Sequence, residues 1–211
     1  MRKLTITLAL MLLLGTAIAG AAALMHPMLT GEADAQLRMI ADTGGWRAIH
    51  LSMLAGYALI IAGLWTRALS EGPTRPAILA ALAIISVGLA VNALNISFMA
   101  GSGWRMAERF AAGDRSVAQI FDLTHPIGLM AARFGNLIVA LGAIVLGAAE
   151  WKDPTQPRWL AWLAWAAAAG GIVGVTLFGE AAREILAAVA LLSAWQVATA
   201  FLALRQAAES A

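Results

Sequence analysis

The sequence predicts an all-α polytopic membrane protein, a six-helix transmembrane bundle with two long outer loops that contain short amphipathic helices. Three observations predict it. Of 211 residues, 61% are hydrophobic and 12% charged, against about 25% charged in a soluble domain. The apolar residues gather in six long runs, and about 20 residues rising 1.5 Å each cross a hydrocarbon core of about 30 Å. The first four connections between the runs alternate loops of more than twenty residues with short proline-containing links.

The first run, 4–25, follows Met1-Arg2-Lys3 and contains Ala17-Ile18-Ala19, so it also resembles a secretory signal with a small-residue cleavage site. Its length favours a retained helix, because a signal's apolar region is usually about 7–15 residues. The next runs are 49–66 and 76–100, joined by a segment ending "SEGPTRP", and then 126–149 and 159–179, joined through "KDPTQP". Such links make tight turns between antiparallel neighbours. The sixth run is 185–204. No residues remain for a soluble domain of ordinary size, so 1–211 is expected to be a single transmembrane domain.

The long segments, 26–48 and 101–125, read as loops with amphipathic helices at 34–41, 104–112 and 116–121. Long loops with internal structure are where function tends to lie. Each carries a His-Pro pair at the edge of an apolar run, "MHPM" at 25–28 and "THPI" at 124–127. Proline fits the first turn of a helix or the stretch beyond its end, so His26-Pro27 is expected to close the first helix and His125-Pro126 to open the fourth. Lys and Arg are denser in the short links, which places them and both termini in the cytoplasm of a cell with an inner (plasma) membrane. Trp46 and Trp104, each in a Gly-Trp-Arg triplet, are expected in the outer aromatic belt, with Trp65, Trp151 and Trp159 in the inner one. Gly170 and Gly174, preceded by Ala166, form a small-residue face for close helix contact.

Composition excludes several functions. There is no cysteine, hence no disulfide, thiolate metal site or iron–sulfur cluster. The pI near 9.7 rests on a net charge of +2 from scattered residues, which gives no stripe for nucleic acid. No lysine lies within a span, which rules out a retinal Schiff base; no phosphate loop, zinc-protease motif or nucleophile elbow is present. No motif assigns an enzymatic activity.

Depth singles out the polar residues that remain. Taking Arg67, Arg75 and Glu150 as inner ends, His50, Asn92 and Arg133 each stand 17 residues away, which is about 25 Å up in a core of about 30 Å. Met53 and Tyr57 share the His50 face, Asn95 and Met99 the Asn92 face, and Met130 and Asn136 the Arg133 face. Polar groups at that depth should face the bundle and find partners; Glu180 is the preferred partner of Arg133, with Asp122 second. The expected site is therefore an outward-facing pocket of His50, Asn92, Asn95, Arg133, Asn136 and Glu180 for a small ligand, a lipid headgroup or a quinone. His26, His50 and His125, interleaved with methionines, are an alternative donor set for haem iron or copper. A third reading is an accessory subunit, with membrane lipid and a membrane-protein partner or a second copy as its contacts.

Overall fold

A computed structural model describes residues 2–71, 75–178 and 185–209, and among these there is no strand. The helices are α1 (Arg2–Met25), α2 (Ala33–Asp42), α3 (Trp46–Glu71), α4 (Pro76–Phe98), α5 (Trp104–Ala111), α6 (Ser116–Trp151), α7 (Arg158–Val173) and α8 (Ile185–Glu209). A wide π turn at Met99–Gly103 carries α4 directly into α5, and another at Gly174–Phe178 extends α7. Six of these helical segments are long and apolar enough to cross a membrane: α1, α3, α4 with its extension, α6, α7 and α8. The chain is a multi-pass membrane bundle. The end holding the start of α1 and the end of α8 is called the base here, and the opposite end the cap.

The spans form a closed ring. α1 packs on α3, α3 on α4, α4 on α6, α6 on α7, α7 on α8, and α8 returns to α1. Two of these contacts are glycine-lined antiparallel pairs built on one plan. A methyl group on Gly15 would lie 2.8 Å from the Gly56 carbonyl oxygen, and one on Gly63 would lie 2.9 Å from Leu12. Likewise a methyl on Gly88 would lie 2.7 Å from the Gly135 oxygen, and one on Gly142 2.6 Å from Ile85. Small residues let membrane helices approach until their backbones touch, where dispersion replaces the missing hydrophobic drive. In both pairs a short cap-side helix lies between the two long ones, α2 in the first and α5 in the second. Gly170 does the same for α7, meeting Ala188 of α8.

The cap is a packed layer. Leu37 and Ile40 of α2, Trp46 of α3, Met99, Phe110 of α5 and Phe121 of α6 form one buried cluster. An amphipathic helix of about 10 residues is marginal by itself, so α2 and α5 hold their form by burying apolar faces against each other and α6. Arg115 reaches Asp34 at 3.9 Å and lies 4.3 Å above the Phe110 ring, fastening the layer from outside.

Four expectations are corrected. His125-Pro126 does not open a helix: α6 runs unbroken from Ser116 to Trp151 and includes 116–121. Proline there removes the hydrogen bond to the Asp122 carbonyl, but Asp122 is exposed, and the Phe121 and His125 rings pack 4.6 Å apart across the turn before it. Trp46 is not a belt residue. It is fully buried, donating from its indole nitrogen to the Met99 carbonyl at 3.1 Å. Met130, expected to face inward, is exposed. Finally, Arg67 and Glu150 do not mark the inner surface: both are buried in the bundle.

Candidate functional site

Polar groups meet at three levels. At the cap, the α1–α3 register brings His26 onto His50: Ala19 touches Gly56, and the two histidines stand at nearly equal distances further along. Their ring centroids are 4.8 Å apart, edge to face. Trp46 packs on both, 4.8 Å from His26 and 4.5 Å from His50. The His50 Nδ1–H donates to the Trp46 carbonyl at 2.8 Å, leaving Nε2 as the nitrogen with an available lone pair. Burial, reinforced by His50 beside it, holds His26 down to about 4 against a smaller opposing effect of the Pro27 backbone. Its imidazole is therefore neutral at physiological pH. His125 is elsewhere, stacked 4.6 Å from Phe121 and 6.3 Å from Phe98. Among the described residues no three His, Asp or Glu side chains converge to hold a metal, so the three histidines do not form one donor set.

Below the cap, Asn92 Nδ2 donates to Asn136 Oδ1 at 2.9 Å across the α4–α6 pair. Asn95, one turn above Asn92, presses against Gly128, and its Oδ1 is buried with no donor among the described residues. Arg133 lies three residues before Asn136 and so on the same side of α6. Asn136 also lines a small, open cleft, about 40 Å³ in volume, formed by Ala140 and Ala143 of α6, Ala167 and Gly171 of α7, and Leu192 of α8. The cleft is apolar apart from that one amide. Glu180, the expected partner of Arg133, lies outside the described residues.

Near the base is a third group, whose assembly depth counting does not anticipate. Arg67 Nη1 lies 3.0 Å from Glu150 Oε1, with both side chains almost wholly buried. The Trp195 indole donates to Glu150 Oε2 at 3.1 Å, and the Arg67 guanidinium sits 5.4 Å from the Trp195 ring. These residues come from α3, α6 and α8, alternate members of the ring, so they meet across its centre. Thr66 Oγ1 contacts Met11 Sδ at 3.9 Å, which sets this level eight residues of α1, about 12 Å, inside Lys3. Arg75 pairs with Asp153 just beyond, closing a set of two cations and two anions. Burial opposes ionisation of Asp153, yet its Thr155 hydrogen bonds with Arg75 and Arg67 hold it below the usual carboxylate range. One signal in the sequence points here: Arg67 and Glu150 directly abut apolar runs with no spacer. Next to Trp195 in α8, Gln196 Oε1 accepts a hydrogen bond from the buried Thr16 hydroxyl at 2.7 Å, tying α8 to α1.

Of the expected pocket, then, Asn92 and Asn136 are joined, Asn95 and Arg133 lie on the same pair of helices, and His50 belongs to a separate cluster with His26 and Trp46. The base group is ionic and self-compensated, suited to holding helices. Among the described residues, the Asn95 carbonyl oxygen of the amide layer and the His50 Nε2 of the histidine pair keep acceptor capacity. Compared with known protein families, characterised proteins and solved structures, the chain matches none.

Proposed function

We propose that the protein binds an amphiphile, a quinone or a lipid, in the cap half of its bundle. The apolar tail lies in the α6–α7–α8 cleft, and the polar head meets the Asn136, Asn92 and Asn95 amides beside Arg133. The observation that carries this is the position of Asn136. It accepts from Asn92 through its carbonyl oxygen and is the one polar residue among those that line the apolar cleft between α6, α7 and α8. A quinone or ester carbonyl is the kind of acceptor that an amide NH2 at the edge of an apolar surface takes. The membrane is the plasma (inner) membrane, with the base in the cytoplasm: Arg2, Lys3, Arg75, Lys152, Arg158 and Arg205 lie in short base segments, as the positive-inside bias requires. Between His26 and His50 a haem is disfavoured, because their touching rings leave no space for a macrocycle.

The test is binding by the detergent-purified chain of decylubiquinone, followed by tryptophan quenching, and of phosphatidylglycerol, followed by native mass spectrometry. Gly171→Leu, which fills the cleft, and Asn136→Leu, which removes the donor, should each weaken retention of one of these by about 10-fold or more, the loss of a buried polar contact being worth roughly 1–3 kcal/mol. Unchanged binding of both probes in both variants would reject the site. The probe affected tells a quinone from a lipid.

A further inference from the structure

We propose that His26 and His50 form a site for a soft monovalent metal ion, cuprous copper being the ion that fits the donor set. This site is separate from the amphiphile cleft and does not rest on it. The helix register, with its glycine contacts between α1 and α3, sets the two imidazoles side by side at 4.8 Å. His50 is turned by the backbone. The Nδ1–H of His50 donates to the Trp46 carbonyl, the kind of outer contact that fixes the tautomer and orientation of a ligating imidazole and leaves the other nitrogen for the metal. His26 stands one residue beyond the end of α1, its ring edge to face with His50 and against Trp46.

The surroundings select the ion. A zinc site calls for four donors, and no carboxylate or further histidine joins this pair among the described residues. Cuprous copper accepts fewer donors and takes imidazole together with the soft thioether. Thioethers are close in sequence to both histidines: Met25 and Met28 flank His26, and Met53 lies three residues beyond His50 on the same face of α3. Trp46 packs its indole on both imidazoles, so the pair is walled by an apolar ring that offers no hard donor. With no cysteine in the chain, there is no thiolate to compete for the ion.

The full-length protein in detergent is titrated anaerobically with Cu(I) against bicinchoninate, with Zn(II) in a parallel titration. One Cu(I) per chain is expected, with imidazole nitrogen in its X-ray absorption spectrum and no stoichiometric Zn(II). His26→Ala and His50→Ala should each weaken Cu(I) binding by at least about 10-fold, as loss of even an outer contact typically does, while His125→Ala leaves it unchanged. His26→Met, which restores a soft donor, should recover binding that His26→Ala loses; that comparison decides the matter if His50→Ala fails to fold. The proposal is overturned if the wild-type protein binds no Cu(I), if it takes up Zn(II) stoichiometrically instead, or if His26→Ala binds Cu(I) as tightly as wild type.

Discussion

Arg67 and Glu150 are each among the most expensive residues to bury, at several kcal/mol per ion, and each is nearly inaccessible. Their mutual contact, the Trp195 indole N–H and the indole face under the guanidinium offset that cost together. Removing one partner strands the other. Glu150→Ala is expected to lower stability by about 3–5 kcal/mol, read from chemical unfolding in detergent followed by circular dichroism. The double variant Arg67→Met with Glu150→Leu should recover most of that loss, because two apolar side chains need no partner. A double variant as unstable as the single one would show that the ion pair itself, and not merely the absence of an unpaired charge, holds the three helices.

At the scale of elements, the two glycine-lined pairs decide where every polar side chain sits. In α4–α6 the contact is backbone on backbone: a methyl on Gly135 would stand 2.6 Å from the Asn92 backbone nitrogen, which has no room to give. Gly135→Ala should therefore lower the melting temperature in detergent, at a cost of about 1–3 kcal/mol or more, and separate Asn92 from Asn136. Gly20→Ala is the control. Nothing lies within 4 Å of a methyl there, so the gain in helix propensity of up to about 1 kcal/mol should appear as an equal or higher melting temperature. Residue type alone does not distinguish these two glycines, since both sit in apolar helical runs; only the partner helix does. The uninterrupted α6 has the same explanation. Pro126 is a boundary signal by local rules, and the packing of Phe121, His125 and Phe98 overrides it.

At the scale of the molecule, six spans in a closed ring put the start of α1, the link 152–157 and the end of α8 on one side, with α2, α5 and the start of α6 on the other. Because the chain has no cysteine, single cysteines report sidedness without background. In intact cells a membrane-impermeant thiol reagent should label Gln119→Cys, and should label Lys152→Cys and Ala208→Cys only after permeabilisation. The reverse pattern would invert the proposed orientation, and different behaviour of positions 152 and 208 would break the six-span count. The class, the number of spans and the two structured loops were legible in the sequence, because hydrocarbon thickness imposes a length and composition that each span shows within itself. The amides at 92, 95 and 136 were legible too, since a polar residue in an apolar run is conspicuous and helical phase gives its face. Which of them meet was not. The union of His26 with His50, the exclusion of His125, the burial of Trp46 and the crossing of Arg67, Glu150 and Trp195 through the ring depend on how far one helix slides along another, and that register is set by glycine contacts between segments remote in the chain.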